Sequence, residues 1–364
     1  MHRTNTKMSL LASPLAFPTL LIFFAIAEGL YGQGCGGYLL VPEYANSQVL
    51  RYDATTGAFV DVFVPRRSGG LNQPYSVIVG PHDGHVYVPT GHWEGPGQIK
   101  AVLRFDGVTG AFLDEFVQRG QMDQPHQATF GPDGNLYVPE RVGGTTIPQG
   151  GRVLRFNGVT GAFIDVFVPL LSGWLWHPLA HVFGPTGRGR QLDLYVGDLP
   201  SNSILRYDGA TGAFLGAFVA SQSGGLQAPA GMSFGPDCNL YVASAGSGSV
   251  MRFQGAFGKF PGSPMPSAGN SGADFVSAGS GGLLEPFAAI FGPDGNGDGN
   301  QDLYVANSLL NVGDIKAREG NVKRFGVTGA FIDTFVPTGS GGLKGPGLIA
   351  FTTTNPVTLR YVCQ

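Results

Sequence analysis

The residues most suggestive of chemistry form a run of alternating oxygen-bearing side chains: Asp294, Asn296, Asp298, Asn300 and Asp302. Oxygen ligands in this spacing, with glycines between them, resemble a calcium loop, because a hard cation needs several oxygens on a tight turn. Position 12 of the loop is Val305, where an EF-hand has a bidentate glutamate. The pattern predicts a structural calcium ion, and the alternative is a solvated polar hairpin.

Three histidines, His126, His177 and His181, lie close to the starts of predicted strands. If they converge, their imidazoles could hold zinc or another transition metal, or act as acid and base. His126 and His181 are therefore the candidate catalytic residues. Pro178 lies between His177 and His181, so these two side chains need not point together. Separate hydrogen-bonded histidines in a polar channel are the alternative.

Aromatic residues outside the predicted strands are candidates for ligand binding, because exposed rings beside polar groups suit sugars or peptide segments. The alternative is that the tryptophans only cover the edges of the sheets. The candidate ligand-binding residues are Trp93, Trp174, Trp176, His92, Tyr75 and His126.

An internal repeat must position these residues. One copy covers 124–140 and 152–168, and it contains four short runs rich in β-branched and aromatic residues, at 127–131, 136–139, 152–157 and 162–168. Asp133-Gly134 is a hairpin signal between the first two runs. Each copy therefore predicts a four-stranded antiparallel meander.

Six copies are marked by the phenylalanine that closes the fourth strand, at separations of 51 to 60 residues: Phe63, Phe116, Phe167, Phe218, Phe275 and Phe335. A single sheet cannot bury both of its apolar faces, whereas stacked sheets can. The fold class predicted is all-β, a six-bladed β-propeller. The first copy lacks a first strand, and the segment 345–351 matches a first strand but is followed by no further strands of a blade. The C-terminal segment is therefore expected to complete the first blade and close the ring. The partner of a further strand predicted at 357–362 stays open.

The N-terminus predicts export. His2, Arg3 and Lys7 precede an apolar stretch over 10–27, which ends in the small-x-small site Ala25-Ile-Ala27. The predicted division is a signal peptide at 1–27 and a propeller at 28–364, secreted or periplasmic. A transmembrane anchor and a lipoprotein are the weaker alternatives.

Three cysteines are present, and an oxidising compartment favours one disulfide bond with one spare cysteine left unpaired. Cys35 opens the mature domain and Cys363 is the penultimate residue, so a Cys35–Cys363 disulfide would tie the ends of the ring. Cys238 replaces a glycine of the sister repeats and is expected to be the spare.

The composition excludes several partners. The net charge is −3 and basic residues form no cluster beyond pairs, so no nucleic acid partner and no anionic membrane surface is expected. Past residue 27 no apolar run is long enough to span a membrane, and a monomer is expected. Motifs of serine hydrolases, NTPases and zinc fingers are absent from the sequence.

The pattern Pro-x-x-x-x-Phe-Gly-Pro-Asp-Gly-Asn-Leu-Tyr-Val, followed by Val-Leu-Arg-Phe, resembles the NHL repeat and the related propellers of the virginiamycin B lyase and gluconolactonase type. The gluconolactonase resemblance implies Asn and Asp metal ligands just after the prolines at the heads of the inner strands. These positions hold Tyr75, His126, Leu179, Ala230, Phe287 and Gly347, which puts that metal site in doubt. The lyase resemblance implies histidines there, and His126 alone matches.

Two functions remain. The first is a secreted binding or scaffold propeller for glycan or peptide ligands, with structural calcium. The second is a metal-dependent lyase or lactonase-like hydrolase, with its active site at the channel mouth and a transition metal there.

Overall fold

The computed structural model describes residues 37–91, 99–143, 149–189, 191–308 and 320–353. The predicted signal peptide and the predicted strand at 357–362 lie outside these residues. Within them the chain forms six antiparallel sheets around a ring, a six-bladed β-propeller, so the predicted fold class is confirmed.

Blades one to three follow one another along the chain. Blade one consists of β1 (Tyr38–Glu43), β2 (Gln48–Asp53) and β3 (Phe59–Val64). Blade two consists of β4 (Ile78–Val79), β5 (Val86–Thr90), β6 (Ala101–Phe105) and β7 (Phe112–Val117). Blade three consists of β8 (Gln124–Pro125), β9 (Thr129–Phe130), β10 (Leu136–Val142), β11 (Gly150–Phe156) and β12 (Phe163–Val168).

Blades four to six have the same order of strands. Blade four consists of β13 (Pro178–Pro185), β14 (Leu192–Asp198), β15 (Ser203–Tyr207) and β16 (Phe214–Val219). Blade five consists of β17 (Pro229–Phe234), β18 (Leu240–Ser244), β19 (Ser249–Phe253) and β20 (Asp274–Val276). Blade six consists of β21 (Pro286–Phe291), β22 (Leu303–Asn307), β23 (Asn321–Phe325) and β24 (Phe331–Val336).

The ring closes as the repeat predicts. β25 (Ala350–Phe351) pairs antiparallel with β1, with Phe351 opposite Leu39. The C-terminal segment therefore supplies the inner strand that blade one lacks. Because a closed ring leaves no blade face exposed to water, the first and last repeats need no polar cap.

Tyrosines of the second strands hold neighbouring blades together. Each packs edge-to-face between the phenylalanine of its own fourth strand and the inner-strand phenylalanine of the next blade, with ring centroids 4.8 to 5.1 Å apart. These tyrosines are Tyr87, Tyr137, Tyr195, Tyr241 and Tyr304. Between blades one and two, Leu40 and Val79 replace a tyrosine and a phenylalanine in the same apolar cluster as Phe63. Both side chains at that interface are smaller than their counterparts in the other blades, so the two blades can still pack without a cavity.

A glycine in each turn between the third and fourth strands contacts the preceding blade. A Cβ at any of these positions would lie 1.7 to 2.2 Å from the carbonyl oxygen of the phenylalanine that closes the preceding fourth strand. The six glycines are Gly57, Gly110, Gly161, Gly212, Gly262 and Gly329. Gly57 contacts Phe335, so the contact also spans the junction between the last blade and the first.

Candidate functional site

One face of the ring gathers most of the candidate residues. In each meander the start of the first strand lies beside the end of the second, as in the pairs Pro178–Asp198 and Pro286–Asn307. We call this the loop face and define it by six equivalent residues at or near the ends of the second strands: Glu43, Thr90, Glu140, Asp198, Ser244 and Asn307.

These six residues are all buried polar side chains, and each accepts a backbone N–H from the segment that leads into an inner strand. Asp198 accepts from Trp176 and His177 at 2.9 and 2.7 Å. A buried N–H without a partner is costly, so these side chains fix the paths of the loops. Sequence reasoning missed them, although the signal was present as a polar residue at the end of each second strand.

Two of these side chains are carboxylates with raised pKa values. Burial raises the pKa of Glu43, although the N–H groups of Asn46, Gly345 and Ala45 act in the opposite direction. Burial likewise raises the pKa of Glu140, which forms an ion pair with Arg152. Both carboxylates are engaged by protein groups, so they support the loops.

Aromatic and imidazole rings meet at the centre of the loop face. Tyr75 packs on Tyr44 and Phe287 with centroids 5.3 Å apart in both pairs, and on His126 at 6.0 Å. His126 packs on His177 at 4.8 Å. We call these five residues the central cluster. It joins blades one, two, three, four and six, so rings from five blades pack together at the centre of the loop face.

His126 and His177 also approach through their Nε2 atoms, which lie 3.1 Å apart. One nitrogen must donate and the other accept, so at least one of these rings is neutral. Burial lowers the pKa of His177 to about 4; the charge of Arg141 acts in the same direction and that of Asp198 against it. His177 is therefore a neutral imidazole at pH 7.

The predicted candidate His181 is placed differently. Its side chain is buried, and neither ring nitrogen has a hydrogen-bond partner among the described residues. Its backbone N–H donates to Oε1 of Gln127 at 2.7 Å. Burial lowers the pKa of His181 to about 3, and the backbone of Tyr137 acts in the opposite direction. The structure thus brings together His126 and His177, and leaves His181 in the protein interior.

The described tryptophans lie on the loop that enters blade four. Five 3-10 turns in the described residues start with Ser-Gly: Ser68–Gly70, Ser172–Trp174, Ser223–Gly225, Ser280–Gly282 and Ser340–Gly342. Trp174 is 74% exposed and has a φ of 63° at a position where the other four turns have glycine. Trp176 is also exposed. The predicted ligand-binding residues His92 and Trp93 lie outside the described residues.

The predicted calcium loop lies on the opposite face, between β21 and β22. Asp294 accepts the N–H groups of Gly297 and Gly299, and Asp298 accepts that of Asn300. In the described parts of the chain, no three His, Cys, Asp or Glu side chains already form a group that could hold a metal ion. The calcium site therefore stays a prediction.

Cys238 is buried in the turn after β17. Cys35 and Cys363 lie outside the described residues. Both the Cys35–Cys363 disulfide and the expectation that Cys238 is the spare cysteine therefore stay predictions.

The fold and the repeat define the class of protein: a six-bladed β-propeller with NHL-like repeats. No protein-family model matches the chain, and no curated protein matches it. Within the described residues, no helix is both long and apolar enough to cross a membrane.

Solved structures share the fold at low sequence identity. A chain in the crystal structure of a nidogen/laminin complex is 16% identical with a TM-score of 0.58, over 87% of this chain and 98% of that chain. A protein of unknown function from Bacteroides caccae is 13% identical with a TM-score of 0.57, over 87% and 98%. A catalytically inactive virginiamycin B lyase from Staphylococcus aureus, solved with quinupristin, is 13% identical with a TM-score of 0.49, over 88% and 94%.

Proposed function

We propose that the chain is an extracytoplasmic binding propeller, which takes a glycan or peptide ligand on its loop face. The basic and apolar residues of 1–27 support export. Trp174, Trp176 and the central cluster supply the rings against which a sugar or a peptide side chain would pack. A solved complex of two proteins is among the structures that share the fold, and this agrees with a binding role.

The observation that carries this proposal is the strained and exposed Trp174. A left-handed backbone costs an ordinary residue about 1–2 kcal/mol, and the four sister turns avoid that cost with glycine. Trp174 regains little by packing, because 74% of it is exposed. Strain that the fold does not need is concentrated at functional sites.

Trp174→Gly is expected to abolish binding while leaving the melting temperature equal or higher, because glycine relieves the strain by about 1 kcal/mol. The measurement is a screen of glycan and peptide arrays with labelled wild-type chain, followed by titration of the hits against both variants. Leu284→Gln is the matched control, because Leu284 is an exposed apolar residue that leads into blade six on the same face. A ligand that binds Trp174→Gly and wild type equally well contradicts the proposal.

A metal-dependent lyase or hydrolase is the second candidate, and the 3.1 Å contact between His126 and His177 favours it. Two imidazoles from neighbouring blades could share a transition metal ion, since Zn–N bonds of about 2 Å allow this with a small rotation of the rings. Under this function, zinc or another transition metal should be found in the purified wild-type chain and be lost in His126→Ala. Equal metal content in both chains, measured by mass spectrometry, would rule it out.

A further inference from the structure

The residue two positions before the tyrosine of the second strand has the same structural role in four blades. Its side chain accepts the N–H of a glycine in the turn between the third and fourth strands. The pairs are His85–Gly107, Asn135–Gly158, Asp193–Gly209 and Asn239–Gly255, at 2.9 to 3.3 Å. This hydrogen bond ties the inner hairpin of each of these blades to its outer hairpin.

Blade six lacks this hydrogen bond because its turn is one residue shorter. In the other four turns an aromatic residue and the glycine are separated by one polar residue, as at Phe105-Asp106-Gly107, whereas blade six has Phe325-Gly326. The N–H of Gly326 donates to the carbonyl oxygen of Ala330 instead. Asp302, at the position of Asn239, therefore loses the donor that its counterparts use.

Asp302 is fully buried, and its Oδ1 atom has no hydrogen-bond partner among the described residues. Its Oδ2 atom accepts the N–H of Gly295 at 3.0 Å and lies 3.8 Å from Nη1 of Arg324. A buried carboxylate oxygen without a partner is costly. The bond to Gly295 holds this carboxylate at the base of the 294–302 loop. The unpartnered Oδ1 lies at the base of the loop as well, because it shares a carbon atom with Oδ2.

The loop surrounds Asp302 with further negative charge. Asp294 and Asp298 belong to the same loop as Asp302. The one guanidinium of Arg324 serves two carboxylates, since it lies 3.8 Å from Asp302 and pairs with Asp333 at 2.5 Å. A cation would remove both the repulsion and the cost of the unpartnered oxygen.

We propose that residues 294–302 bind a calcium ion, with Asp302 as the buried ligand that joins the ion to the core of blade six. Asp294 and Asp298 can add carboxylate oxygens while they keep their backbone hydrogen bonds, because each oxygen has two lone pairs. The amide oxygens of Asn296 and Asn300 complete the set of side-chain donors.

Binding includes a rearrangement of the exposed residues 296–300 around the fixed Asp302. Three glycines, Gly295, Gly297 and Gly299, give the loop the freedom to do so. A flexible loop of oxygen donors suits calcium better than magnesium, which demands near-ideal octahedral geometry. Without a bidentate glutamate at position 12, affinity should be modest, with a dissociation constant on the order of 10⁻⁴ M.

The test is titration of the full chain, stripped with EDTA, with calcium chloride by calorimetry, alongside thermal melts with calcium or magnesium. Calcium should bind at a single site and raise the melting temperature by a few degrees, because it binds the folded state. Asp298→Ala should weaken binding about ten-fold or more. Asp298 is exposed, so its removal leaves the fold intact.

Asp302→Asn should lose calcium binding, and Asp298→Ala decides the outcome if the Asp302→Asn variant does not fold. The matched control is Asp133→Asn, in the corresponding hairpin of blade three, where the new amide oxygen can still accept the N–H of Asn135; its calcium affinity should equal that of wild type. The proposal is overturned if wild type shows neither heat nor a melting shift with calcium. It is also overturned if magnesium gives an equal shift, or if Asp298→Ala binds calcium as tightly as wild type.

Discussion

Replacing Gly110 with alanine is expected to destabilise the propeller by more than about 3 kcal/mol. The new Cβ would lie 1.8 Å from the carbonyl oxygen of Phe63 and 2.7 Å from its carbon. Neither atom can rotate away, because Val64, the next residue, pairs with β2. Blades one and two would have to separate at this point, which would also disturb the packing of Leu40 against Phe63.

Gly120→Ala separates the clash from the cost of the backbone conformation. Gly110 and Gly120 have φ values of 72° and 86°, but a Cβ at Gly120 would meet nothing within 4 Å. Gly120→Ala should therefore cost only about 1 kcal/mol, from the left-handed backbone alone. The measurement is the urea midpoint of each variant at constant slope. Equal losses in the two variants would show that the contact between blades contributes nothing.

The ring could be predicted from the sequence because the same kinds of residue recur in each copy. The phenylalanine that closes each fourth strand and the Leu-Tyr-Val of the second strand are visible as a period, and their packing follows from it. The missing first strand of copy one and the surplus strand at the end predicted the pairing of β25 with β1. These features depend on residue type and spacing alone.

The candidate site was predicted less completely, because it depends on which atoms meet. The six residues that cap the loop face are Glu, Thr, Asp, Ser or Asn, so they share an acceptor but no residue type. His126, His177 and His181 were all recognised, yet which two meet depends on side-chain directions on either side of Pro178. The shortened turn at Gly326 was visible in the sequence. Its consequence for Asp302 required knowing which N–H the sister blades use.

Acidification from pH 7.5 to pH 5 is expected to destabilise the wild-type chain, and His181→Leu should remove part of that loss. The pKa of His181 is lowered to about 3 by burial, whereas an unfolded histidine titrates near 6.5. Between these values the unfolded chain binds a proton that the folded chain does not, so stability falls as the pH falls. At pH 5 the loss from this residue is about 2 kcal/mol.

Leucine can replace this imidazole without leaving a polar group unpaired, because neither ring nitrogen has a hydrogen-bond partner among the described residues. The bond from the backbone N–H to Gln127 is kept.

Glu43 and Glu140, whose pKa values are raised, act in the opposite direction. The folded chain binds their protons more tightly than the unfolded chain, so these two residues stabilise the fold as the pH falls. The contributions of Glu43, Glu140 and His177 to the pH dependence of stability are the same in wild type and in His181→Leu. The difference between the urea unfolding free energies of wild type and variant, measured at pH 7.5 and at pH 5, therefore isolates His181. Parallel curves for the two chains would mean that this imidazole is already protonated, or already solvated, in the folded propeller.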